Sequence, residues 1–300
     1  MNKKTRITGI GYCGMDYLCV VPHIPVDDKV EMLQNLVQGG GPSVTAITAA
    51  ARLGARAAFA GTVGDDERGR QIIAGLSAEG IDVSALKVRS GAESPVAFCW
   101  IEKQSGKRSI AWGRGTAAAL RPDELDESLI KNSKVLHFDG HQTAAALAAA
   151  KIAHKYGIAV SIDAGTIVPG VEKLLELSDI IITSEKFAGS YTGETNTDVA
   201  VRKLFAANCR FSAITMGSKG SIGFDGKNLI KSPAFKVDVV DATGAGDVFH
   251  GAFIFEYTRG KTWGECMRFA AAVSALKCTK FGGRTGIPDL QTAENFLRKQ

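Results

Sequence analysis

The sequence predicts a mostly parallel α/β domain that carries a small β lid. Three observations lead there. From Pro122 onward, helical segments alternate with the short apolar strands VLHFDG, IAVSIDAG, DIIITS and FSAITMG, the rhythm of βαβ units whose parallel sheet is covered on both faces. Before that point, two β-rich excursions at about residues 12–37 and 93–117 break the rhythm and can pair with each other. The 300 residues contain no linker, repeat or low-complexity tract, and 45% hydrophobic with 22% charged residues suits one large domain over 1–300.

The chain opens on ITGIGYCGMDYLCVVPHIP. Gly9, Gly11 and Gly14 spell G-x-G-x-x-G, but a dinucleotide site needs a long helix after the third glycine. β-branched and aromatic residues follow instead, then Pro22 and Pro25, so the stretch reads as strand, tight turn, strand. Gly39-Gly40-Gly41-Pro42 leads into an Ala-rich helix ending at Gly54, and RAAFAGTVG is a strand. DDERGRQIIAGLSAEG is a helix with Asp65 and Asp66 as caps and a stop at Gly80. SPVAFCWIEKQSGKRSIAWGRG alternates apolar and polar about Ser105-Gly106, a hairpin signal. Asp225-Gly226 marks a second hairpin, Val239-Val240 end a strand, and a long helical third completes the chain.

Composition excludes several classes. Formal charge is +5, and MNKKTR is the one dense basic run, so no basic stripe with interleaved aromatics offers a nucleic-acid surface. No long uncharged apolar stretch spans a membrane. The six cysteines show no C-x-x-C pair and no metal spacing, which fits a reducing cytoplasmic setting. The exposed edges of an apolar lid invite pairing with a second copy.

Chemistry concentrates in VVDATGAGDVFHGAF. Thr243-Gly244-Ala245-Gly246 form a loop almost without side chains, and Asp247 opens a helix. Backbone N–H groups and the helix dipole make such a loop an anion site. A carboxylate beside it repels phosphate unless it serves an incoming hydroxyl as base. Carboxylate plus anion hole is a phosphoryl-transfer arrangement without a Walker lysine. His250, one turn later, is expected to pack locally, and Asp163 ends a strand on the side where parallel sheets bind ligands.

At these residues the chain resembles the ribokinase-like sugar kinases, the PfkB family. GGGPSVTAITAAARLGA, AGTVGDDERG, ITMGSKGS, AFKVDVVDATGAGDVFHGAF and ALKCTKFGGRTGIPD follow in family order. The last two are especially similar to the branch acting on 6-deoxy-6-sulfofructose. The resemblance implies a three-layer α/β/α sandwich and an ATP- and Mg2+-dependent kinase acting on a primary hydroxyl of a ketose, neutral or anionic. It implies Asp247 as base, with Gly244, Ala245 and Gly246 as the anion hole. Asp16 would bind sugar hydroxyls, as would the backbone of Gly40 and Gly41. Thr215, Gly217, Ser218 and Gly220 would bind the nucleotide, with the Lys280–Gly286 loop, including Gly283, and neighbouring Cys278 on the adenine side. Asp241 and Thr243 resemble a monovalent-cation site, for K+.

The chain departs from the family in places. Thr45 stands for the usual Asn of the sugar site. Ser184 and Phe187 replace the Asn and Glu of the N-x-x-E phosphate motif, leaving Glu185 as the nearby carboxylate. Lys29 matches an anion-reading lysine of the sulfofructose branch, whereas its other sulfonate contacts fall near Trp112 and Gly140. Arg114 or His141 could meet an anion instead.

Overall fold

The computed structural model describes residues 6–105, 108–205 and 208–300. The basic run before Arg6 and Gly106 of the lid turn lie outside the described residues. The main sheet has nine strands: β1 (Arg6–Ile10), β4 (Arg56–Gly64), β5 (Leu86–Arg89), β8 (Val135–Phe138), β9 (Ala159–Ala164), β10 (Ile180–Ser184), β11 (Phe211–Thr215), β12 (Ser221–Phe224) and β13 (Leu229–Ser232). Their order is β13-β12-β11-β10-β9-β8-β1-β4-β5. All pairings from β5 across to β11 are parallel, and only the β12–β13 end is antiparallel.

Alternation along the strands makes two cores. Ile7, Phe59, Val135, Ile180 and Ile182 face α1 (Pro42–Arg52), α8 (Ala245–Thr258) and α9 (Trp263–Cys278). Ile10, Ala60, Phe138, Val160, Ile162 and Ile181 face the opposite layer, which holds α4 (Thr143–Lys155). Successive strand side chains point to opposite faces, so residues one apart fall into different cores. The result is the three-layer α/β/α sandwich.

A second sheet, β3-β2-β6-β7, forms the lid from β2 (Gly14–Val21), β3 (Gln34–Gly40), β6 (Val96–Glu102) and β7 (Arg108–Gly113). Strand, turn, strand holds for the opening segment, but the turn at 11–13 carries the chain from the main sheet into the lid. Register places Gln38, Asp16, Ala97 and Trp112 opposite one another on one lid face. Arg108 shares that parity, and its Nη1 donates to Thr243 Oγ1 at 3.2 Å, so this face looks onto the anion loop. Tyr17, Val37 and Phe98 lie on the other face.

One expected element is absent. Val239 and Val240 are exposed and lie in no strand; β13 ends at Ser232. Val240 N and Asp241 N both donate to the Cys278 carbonyl at the end of α9 instead of to a neighbouring strand. That single bifurcated tie positions the loop that follows.

Candidate active site

The loop after Asp241 becomes α8 at Ala245, with Gly244 as its N-cap at φ +73°. A side chain at Gly244 would be strained there and would meet the Gly283 carbonyl at 2.9 Å. Ala245 N donates to Ala242 O and Val248 N to Gly244 O. The N–H groups of Gly246 and Asp247 take no backbone partner among the described residues, which leaves them for an anion.

Asp247 and Gly246 line a cleft of about 260 Å³ together with Asp139, His141, Asp163, Ser184, Thr215 and His250. Burial pushes the Asp247 carboxyl up to about 7, and the nearby Asp163 charge adds to the rise, whereas His250 and Arg284 pull it back. Beneath it, His250 Nε2 lies 3.4 Å from Asp163 Oδ1, so His250 does find a local polar partner. Burial raises the Asp163 pKa, but His250, His137 and His141 together bring the carboxyl below its usual range. His137 packs against His250, and burial depresses its pKa to about 3, so it is neutral.

The residues expected to bind sugar come from the lid and the start of α1. A Cβ on Gly40 would lie 2.1 Å from Asp16 Oδ2, so only glycine lets the β3 backbone pass this carboxylate. Burial raises Asp16 to about 6, opposed by Arg284. Thr45, buried in α1, accepts from Arg284 Nε at 3.2 Å. Trp112 is 54% exposed on the Asp16 face, with the Arg114 guanidinium 4.9 Å above its ring. The His141 ring lies 5.4 Å from that of Tyr12, tilted by 48°. Gly41, at φ +115°, caps α1. Lys29 is exposed in the loop joining β2 to β3, and its backbone N–H donates to Asp28.

The residues expected to bind the nucleotide fall into two groups. Ser184 and Thr215 line the cleft. Ser184 Oγ also caps α6 (Glu185–Thr192) by accepting from Phe187 N, which explains a serine there. Glu185 is exposed and held by Lys219 Nζ at 3.0 and 3.1 Å. Gly217 and Ser218 form a helical turn closed by Gly220 at φ +90°. Cys278 is buried and works through its carbonyl. Gly283 packs between Gly244 and Gln38, so this part of the loop borders the anion hole and the lid.

Three residues were not read from the sequence. Arg284 is close enough to act on both Asp16 and Asp247, and burial lowers its pKa to about 10. Asp139 accepts from Tyr12 N, Ser43 N and His141 N, gathering three site segments on one carboxylate. Lys277, 0% exposed in α9, donates from Nζ to the Asp241 carbonyl at 2.7 Å. The Asp241 carboxylate is also engaged: Oδ1 accepts from Thr243 N and Oδ2 from Gly282 N. Asp241 thus already meets three donors from within the chain, Lys277 Nζ, Thr243 N and Gly282 N.

The pfkB family carbohydrate kinase model matches residues 4–290. The chain belongs to the pfkB family of carbohydrate kinases. Fructokinase-1 of Zea mays is 30% identical over 321 residues, 98% of this chain and 97% of that protein. The ribokinase of Haemophilus influenzae is 30% identical over 304 residues, 98% of this chain and 99% of its own. A solved structure named as a putative ribokinase from Agrobacterium tumefaciens aligns with TM-score 0.91 at 28% identity, over 99% of this kinase and 98% of that chain. The kinase therefore has the ribokinase-like fold. No helix among its described residues is long and apolar enough to cross a membrane.

Proposed function

We propose that the kinase transfers the γ-phosphoryl group of ATP to a primary hydroxyl of a ketose. The observation that carries this reading is that the Gly283–Arg284 segment packs against Gly244 of the anion loop on one side and against Gly39 of the lid, next to the Gly40–Asp16 contact, on the other, which brings the lid carboxylate and the α8 carboxylate to one site. Asp16 accepts from two ring hydroxyls and orients the sugar. Asp247 takes the proton of the attacking hydroxyl, whose oxygen forms the new bond to phosphorus as the bond to ADP breaks. The Gly246 and Asp247 N–H groups meet the charge on the transferring oxygens. Mg2+ fits as a companion of ATP, because it binds through phosphates, water and one or two carboxylates, and Asp163 lines the cleft beside the base. It would supply charge neutralisation there.

A fructose-like ketose is the leading substrate, in keeping with the fructokinase and ribokinase relatives. A second reading, a ketose with an anionic C6 group such as a sulfonate, is favoured by one observation: Arg114 lies exposed over Trp112 on the sugar-facing side of the lid. A coupled assay over fructose, ribose, 2-keto-3-deoxygluconate and 6-deoxy-6-sulfofructose tests both. Fructose is expected to give the highest kcat/KM. A higher value for the sulfonate, lost in Arg114→Met or Lys29→Met, would replace the first reading by the second. Phosphorylation of none of them, with ATP still bound, would overturn both.

The lid's outer face supports pairing with a second copy, since Val37 and Phe98 are 48% and 45% exposed in one register row, on either side of Tyr17. Sedimentation is expected to show a dimer that Phe98→Glu dissociates. A monomeric unaltered kinase rules this out.

A further inference from the structure

Lys277 carries a charge into the protein interior beside the phosphoryl loop. It occupies the fourth position of the buried α9 register Cys266, Ala270, Val273, Lys277, where an apolar residue is the ordinary occupant. Burying an ammonium costs several kcal/mol unless polar partners meet it. Its partner is the Asp241 carbonyl, and the Asp241 carboxylate adds attraction from nearby.

The surroundings of Asp241 are those of a cation site filled from within the chain. Its carbonyl faces Lys277 Nζ, its carboxylate holds Thr243 N and Gly282 N, and its own N–H is fixed to Cys278 O, one residue beyond the lysine. An alkyl ammonium resembles K+ in size and charge, and both seek carbonyl oxygens. The same residue thus ties the start of the loop that leads to Gly244 and Asp247 to the end of α9 and to Gly282.

We infer that the Lys277 ammonium is this kinase's built-in monovalent cation, holding the anion loop in place and making nucleotide binding independent of K+. The inference rests on reading residues 241–247 as the phosphoryl-transfer loop. The ammonium is tethered to the chain, so the loop needs no ion from solution. It also adds positive potential behind the N–H groups that receive phosphate.

The test begins with the unaltered kinase. ATP affinity by calorimetry, and the melting temperature, are measured in K+, Na+ and tetramethylammonium chloride at equal ionic strength. Equal values are expected in all three. A saturable rise in either quantity with K+ overturns the inference without any variant. Lys277→Ala, checked for folding by circular dichroism, opens room for an ion. In tetramethylammonium it should bind ATP about tenfold more weakly or worse, the scale of one charged hydrogen bond. K+, NH4+ or methylammonium should restore that affinity saturably and raise the melting temperature by mass action. Lys277→Met fills the space and should not recover. Weakening that no cation restores leaves the lysine a packing role only and overturns the inference. If Asp247→Asn keeps full turnover, the loop reading itself fails. If only Lys277→Ala is silent, that reading stands and the cation role falls.

Discussion

Asp247→Asn is expected to lower turnover by about 10²–10⁴-fold, the range for losing a general base, while ATP and sugar still bind. The amide keeps the size of the side chain and cannot take a proton. Its raised pKa makes the prediction sharper. A base must be ionised to act, so kcat/KM of the unaltered kinase should fall tenfold per unit as pH drops below about 7. The variant's residual rate should lack that limb. Stability should move the other way. The folded pKa lies above the unfolded one, so from about pH 4 to 7 the folded chain binds more protons, and this carboxylate's ionisation costs stability that is fully present above pH 7. The asparagine variant should therefore melt higher at pH 8, with the gap closing towards pH 4. A variant that turns over normally and melts no higher would remove Asp247 from the mechanism.

Asp16→Ala is expected to reduce kcat/KM for the sugar by about 10²-fold, the effect of losing roughly two hydrogen bonds to a charged acceptor. Most of it should appear in the sugar KM, with the ATP KM little changed, because the residue sits on the lid and not on the phosphoryl loop. Asp16→Asn should recover part of the loss through its remaining carbonyl acceptor. A collapse of ATP affinity with sugar affinity intact would place Asp16 at the nucleotide instead.

The parts of this molecule that were legible in the sequence are those with a local cause. Parallel strands announced themselves as apolar runs between helices, and α8 as a helix opening behind glycines. Residues that act across the chain were hidden. Arg284 follows two glycines in a loop that motif order had given to the adenine side, and only the fold brings it to Thr45 on α1. Asp139 ends a strand much as Asp163 does, and nothing nearby in sequence shows that it collects N–H groups from residues 12, 43 and 141. Lys277 did leave a trace, a lysine in register with Ala270 and Val273, which hydropathy alone reads as a solvated residue. Val239 and Val240 misled for the converse reason: two β-branched residues favour extended backbone, yet the Val240 N–H goes to a helix carbonyl and not to a neighbouring strand.

The division between lid and sandwich has a consequence for how such a protein changes over generations. Asp16, Gln38 and Trp112 occupy alternate places on strands of one small sheet, whereas Asp247 and its loop are fixed by α8, α9 and the Lys277–Asp241 tie. Under the proposed roles, drift at Asp16 or Trp112 would alter which polyol is welcomed without replacing a residue of the loop that moves phosphate. A lineage can thus exchange one sugar for another through a few hairpin positions, while the inherited phosphorylating half is passed on unaltered.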